Sequence, residues 1–412
     1  MSTNISTQAF LCGFFSIDRK AAGSIGQRID FDLWKKQECS DETTAILYDF
    51  YYPEFVDFCT KTRKTYKLSI GKELSAPCKC TVGDIQMGFY PFGIVIFHIG
   101  VTFAGCSAEQ VRGALAKMRN CCFYENAGLE EFIATAIDPV KKAYKALGGT
   151  AGIEGESCPY LVESGNKFKL FQIVEGEGVP KGDQEMDKFL YSCGTLAGYD
   201  PDGIYSTSRE YYEKSIAESR LSVFNNWKAL MLLDSVTFAA VDVSDFSKKI
   251  WTNDYFGMIY LYELYHKIYL YELNVRFRNG REKASDLFDE LKLFERRYTF
   301  TSISYNFLPN DVDKAMESNL HTQQVEADIY HVIDQESTAQ AAEHESRTNL
   351  FLTFLTLMAS LSAVWDISSM MDALVNYEKT FSLAATGYRL VVTLLIVVIL
   401  LVALFSRRKK SK

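Results

Sequence analysis

The sequence is short of the side chains from which catalytic and metal centres are built. Five histidines serve 412 residues, and no HExxH, GxSxG or paired CxxC sets one beside a nucleophile or a second ligand. Cys78-Lys79-Cys80 and Cys121-Cys122 lack histidines at ligand spacing, so no zinc site is expected. The glycine-rich stretches at 148–155 and 175–182 carry neither the Gly-Lys-Ser/Thr ending of a phosphate-binding loop nor GxGxxG, and they read as surface loops. These absences make the chain a non-enzyme with no certain cofactor. Positive charge is also short: 44 Lys+Arg face 52 Asp+Glu, a net charge of -8, so no direct nucleic-acid binding is expected. Cysteine is missing after Cys193, and the ten present read as mostly buried thiols of a reducing compartment. The first 20 residues lack the basic start and apolar core of a leader, which places the N-terminal part in the cytosol. Glycine is absent between Arg281 and Thr386, and proline after Pro309.

What is present divides into two characters. Residues 1–205 mix strand and helix signals and read as a cytosolic α/β domain. The run at 10–17 is apolar, 66–70 alternates, and 92–103 (FGIVIFHIGVTF) is rich in β-branched and aromatic residues, as a central strand is. Ser107 with Gln110 three residues on is a capping box, and Val111, Leu115 and Met118 share one face of the helix that follows. Residues 206–305 carry long helical patterns, at 208–233, 254–277 and 281–297. The segment 257–273 (GMIYLYELYHKIYLYEL) holds five tyrosines and reads as a packed helix. His98 reads as a core residue of its strand; His321 and His331 read as part of a solvated helix face.

Two apolar runs close the chain. Residues 390–405 (LVVTLLIVVILLVALF) are uncharged and, with their flanks, reach bilayer-spanning length; five Lys and Arg follow at 407–412. That basic tail assigns the end to the cytoplasmic side. Residues 349–365 (NLFLTFLTLMASLSAVW) form a more polar run. Two spans put both termini in the cytoplasm of a plasma-membrane protein. With no helix breaker from 311 to 365, the first span reads as the end of a helix about 80 Å long at 1.5 Å per residue. Its cytosolic part is acidic, from Asp311 to Glu345. Asn349, Thr353, Thr356, Ser360 and Ala363 recur at spacings of 4, 3, 4 and 3, which sets small and polar groups on one face. Such a stripe faces either another helix or water. In a symmetric ring of identical chains it would line a pore.

In this order of parts the chain resembles the CorA family of divalent-cation channels: an α/β cytosolic domain, a helical region, a very long helix entering the first span, an outer loop, and a second span ending in a basic tail. The resemblance covers nearly the whole chain. It implies a homopentamer, a pore lined by the 349–363 stripe, and Mg²⁺ as permeant or regulatory ion. The family's Gly-Met-Asn after the first span is missing; this chain reads DISSMMDALVNYEK from Asp366. Members without that motif include type III CRISPR membrane effectors opened by a nucleotide second messenger.

The expected organisation is therefore α+β: a cytosolic α/β domain (1–205), a helical region (206–305), a stalk helix (306–348), a first span (349–366), an outer loop (367–386), a second span (387–406) and a basic tail (407–412). The expected function is a homo-oligomeric cation channel in the lipid bilayer, with a cytosolic sensor domain. An antiviral effector and a tail-anchored scaffold stand as alternatives.

Overall fold

A computed structural model describes residues 5–18, 33–75, 77–121, 128–149, 167–200, 203, 206–241, 256–280 and 282–375. The second expected span, the basic tail and most of the outer loop lie outside the described residues. The chain divides into two units, Met1–Ile333 and Asp334–Lys412.

The first unit is built on one mixed sheet of nine strands: β1 (Ile5–Ser16), β2 (Lys35–Gln37), β3 (Lys64–Leu74), β4 (Cys80–Phe89), β5 (Ile94–Cys106), β6 (Lys169–Glu175), β7 (Arg220–Phe224), β8 (Trp227–Leu232) and β9 (Ser235–Ala240). Their order is β2-β3-β4-β5-β1-β6-β9-β8-β7. β6 and β9 run parallel, while the other neighbours are antiparallel. The helices are α1 (Asp41–Phe50), α2 (Pro53–Asp57), α3 (Ala108–Arg119), α4 (Glu130–Phe132) leading through a π turn into α5 (Asp138–Leu147), α6 (Asp183–Thr195), α7 (Arg209–Ser219), α8 (Phe256–Arg278), α9 (Ala284–Tyr298), α10 (Phe307–Leu320) and α11 (Thr322–Val375).

Strand periodicity sorts the core into two layers. Ala9, Leu11 and Phe15 of β1 and Val95, Phe97, Ile99, Val101 and Phe103 of β5 point to one face, where α3, α5 and α6 cover them. Phe10, Cys12 and Phe14, with Ile94 and Ile96, point to the other, under α1, α2, α8, α9 and α10. A fully buried side chain of this kind contributes about 1.5–3 kcal/mol, so both faces need their helices.

The capping box forms as read: Gln110 N–H donates to Ser107 Oγ at 3.3 Å, and Ser107 N–H to Gln110 Oε1 at 2.9 Å. The tyrosine-rich segment is a packed helix, with Tyr260, Tyr262, Tyr265 and Tyr269 buried. Among the described residues Cys12, Cys59, Cys80, Cys106, Cys121 and Cys193 are buried.

Two expectations are corrected. The pattern at 208–233 is helical only through Ser219; β7 and β8 follow, joined by a turn at Asn225 and Asn226. These strands and β9 extend the N-terminal sheet, so no domain boundary falls at residue 205. The long helix is not continuous from Asp311. His321 takes a left-handed φ of 57° and separates α10 from α11.

Candidate functional site

Two features of the fold can carry function. The first is α11, 54 residues long. Within it, 322–366 is long and apolar enough to cross a membrane, with a mean hydropathy of 1.5 over its most apolar 18 residues, none of them buried. Leu350, Phe351, Leu352, Phe354, Leu355 and Met358 are exposed, and Trp365 is 76 % exposed. Water does not tolerate a contiguous apolar surface of this kind on a lone helix; lipid or other helices must cover it.

The predicted stripe lies on this helix. Thr353 Oγ1 donates to Asn349 O at 2.7 Å, Thr356 Oγ1 to Leu352 O at 2.8 Å, and Ser360 Oγ to Thr356 O at 2.8 Å. These hydroxyl protons are therefore satisfied inside the helix. Lipid would not expel the three hydroxyls by themselves, and the polar demand of the stripe rests mainly on the exposed carboxamide of Asn349. Ala363 adds a small, exposed position on the same helix.

The second feature is a polar cleft of about 510 Å³ on the sheet face that α8 covers. It comes from a change of character along single strands. On one face of β5, Ile94 and Ile96 give way to His98, Gly100 and Thr102; on β1, Phe14 and Cys12 give way to Phe10 and Gln8. β3 and β4 complete the wall with Thr65, Lys67, Asp84 and Gln86. Bulges between Ser69 and Lys72 and between Val82 and Ile85 shift the pairing there and re-aim the local side chains. Gly100 allows a close approach: a Cβ would stand 3.3 Å from the Asp84 carbonyl oxygen, a tight contact.

The charges of the cleft are balanced. Lys67 pairs with Asp84 at 2.6 Å, and Arg63 and Glu38 also line the space. Burial, with the neighbouring Arg63 guanidinium, pushes the His98 imidazole down to about 3, so it stays neutral in the physiological range. Burial pushes the Tyr90 hydroxyl, bonded to Arg63, up to about 12. The lining thus offers neutral donors and acceptors together with two cations, Arg63 and Lys67, and two anions, Glu38 and Asp84. Its volume falls within the range of small-molecule sites, and its lining is mostly polar. Among the described residues no group of His, Cys, Asp or Glu is placed to hold a metal ion.

Reading the sequence missed this cleft. The signal was the polar alternation His98, Gly100, Thr102 at the end of an otherwise apolar strand. His98 is buried, as expected of a core residue, yet it stands at the edge where the core becomes the cleft.

No family model matches the chain, and the searches of curated proteins and of solved structures return no significant match.

Proposed function

We propose that the chain is a homo-oligomeric membrane ion channel whose cytosolic unit senses a small polar ligand. The observation that carries this reading is α11, one unbroken helix from Thr322 into an exposed apolar window that holds a polar stripe. In a ring, with five copies as the resemblance implies, Asn349, Thr353, Thr356, Ser360 and Ala363 would face the axis. The acidic stretch upstream would draw cations toward it and repel anions. Residues 387–406 would form the second span, with both termini cytoplasmic. The cleft would supply what a ligand-gated protein needs, an open polar site in the first unit. A nucleotide second messenger is the ligand class the resemblance suggests, and Mg²⁺ is the regulatory or permeant ion.

The test is flux from liposomes holding the purified protein, with Mg²⁺ and K⁺ compared and nucleotides absent and then added. The expected outcome is a ring by native mass that passes cations. Steady flux suppressed by cytosolic-side Mg²⁺ marks a constitutive transporter; silence until a nucleotide arrives marks an effector. A monomer, or an anion-selective current, overturns the channel.

A tail-anchored scaffold is the second reading, in which residues 387–406 alone enter the bilayer and 349–363 stays in the cytosol. Cysteine labelling at Asp372 or Glu378 separates the two: reaction from outside supports two spans, and reaction only from the cytosol supports a scaffold.

A further inference from the structure

Three cysteines gather where β4 begins and β5 ends. Cys80 opens β4, Cys106 closes β5, and Cys78 lies in the bend before β4. A bulge sets this arrangement. β1 pairs with β5 through Ser6 and Ala104, then through Ile5 and Cys106, so Gly105 is the extra residue. Its left-handed φ of 71° is one that glycine adopts without strain. Strict alternation would turn residue 106 to the side of Thr102 and Ala104, which are exposed. The extra residue returns Cys106 to the buried side of Val101 and Phe103. Cys80 is buried in the same core layer, and Cys78 packs against it half-buried.

Two of the sulfurs meet. Cys78 Sγ and Cys106 Sγ are 3.2 Å apart, and both reach the Lys79 carbonyl oxygen, at 3.9 and 3.5 Å. A disulfide holds its sulfurs about 2.0 Å apart, so closure asks for a shift of about 1 Å. Residues 77–79 are bends outside any strand, so the shift falls where there is no ladder to break. The half-buried Cys78 can meet an oxidant, and the buried Cys106 stands behind it as the resolving thiol.

We propose that Cys78 and Cys106 are a redox modification site, a reversible disulfide that ties the start of β4 to the end of β5. The oxidant is a disulfide of the glutathione class, and the chemistry is two successive exchanges. The Cys78 thiolate attacks one sulfur of oxidised glutathione, the bond between its sulfurs breaks, and one glutathione leaves with the electron pair. Cys106 then attacks Cys78 Sγ and expels the second glutathione. Two protein thiols give up two electrons and two protons, and one oxidised glutathione becomes two thiols. Excess reduced glutathione runs the sequence backward. Burial, then Cys106, pushes the Cys78 thiol up to about 11, so the attacking thiolate is scarce and the site answers a sustained oxidant load. The clamped strands also carry Gly83, Asp84, Gly100 and Thr102 of the polar cleft. The inference concerns the first unit alone and does not depend on the channel reading.

The experiment uses the full chain in detergent micelles, equilibrated with glutathione buffers from fully reduced to fully oxidised. Samples are quenched in acid, alkylated, digested and read by peptide mass. The expected result is a Cys78–Cys106 link at least about tenfold more abundant than any other, reversed by reduced glutathione. Amide hydrogen exchange at 78–82 and 104–107 should slow by about tenfold or more on oxidation. Cys80→Ser should keep both the link and the slowing. Cys106→Ser should lose both and leave Cys78 as the mixed disulfide with glutathione. The wild-type link map decides the matter even if a variant folds poorly. Thiols that persist at both positions in oxidised buffer, links to Cys80 formed as readily, or a link that leaves exchange unchanged overturn the site.

Discussion

Helices α8 and α11 pose the same question to their surroundings and receive opposite answers. Neither has a polar face and an apolar face. α8 is buried almost all round, and α11 is exposed almost all round. What separates them is how their polar atoms are satisfied. In α8 three tips reach other parts of the protein: the Tyr262 hydroxyl donates to the Tyr298 carbonyl at 3.1 Å, His266 Nε2 lies 2.8 Å from the same oxygen, and Lys267 donates to the Leu320 carbonyl. In the apolar window of α11 the Thr353, Thr356 and Ser360 hydroxyls turn back onto their own helix. A helix whose polar groups need neighbours belongs in a protein core; a helix that satisfies itself suits lipid.

The largest effect expected from this contrast is in the α8 surroundings. Phe294 stacks on Tyr269 with ring centroids 3.7 Å apart and planes 4° from parallel. Phe294→Ala should cost about 3–5 kcal/mol of stability, measured by denaturant unfolding of the first unit within the full chain. Leu355→Ala, on the exposed window, should leave that transition unchanged, and a comparable loss there would break the comparison. Next comes insertion. Leu355→Lys should disfavour membrane entry by about 2.5–3.5 kcal/mol, read as the fraction of glycosylation-reporter fusions that insert; unchanged insertion would mean that the window does not enter lipid.

A smaller effect concerns pH. Glu263 and Asp313 are raised on folding, so from the ordinary carboxylate range of about pH 4 upward the folded unit binds more protons than the unfolded chain. Their contribution is therefore greatest in acid and is lost as pH rises through their folded values. Buried His98 and His266, pushed down to about 3 and about 4, act with the opposite sign and cost stability as pH falls below about 6.5. Melting temperatures above that pH should thus fall in wild type and stay flatter in Glu263→Gln. The smallest effect is local: Ser107→Ala removes the α3 cap and should cost about 1 kcal/mol, by thermal melting.

The parts legible in the sequence were those governed by near neighbours. The Ser107–Gln110 box, the β-branched run of β5, the tyrosine-rich α8 and the apolar window each carry their cause within about a dozen residues. The parts that escaped depend on distant pairing. Arg220 to Leu232 has the apolar content of a helix, and it becomes two strands because β9 pairs with β6 and offers β8 an edge. The Asn225-Asn226 turn was the local clue. The break at His321 involves neither glycine nor proline; it is held from outside, by Lys267 on the last α10 carbonyl and Glu263 on the first α11 hydroxyl. The cleft joins residues from Gln8 to Met258, and its bulges leave no periodic trace.

The point where the first unit ends has a consequence for the order of synthesis. Its last core residue is Ile333, upstream of the apolar window of α11. Domains fold as units while the chain emerges at about 5–20 residues per second. Every residue needed to close both faces of the sheet is therefore made before the first residue of that apolar window. The first unit can be complete, with its thiols and tyrosines already shielded, when the exposed apolar window of α11 is first made.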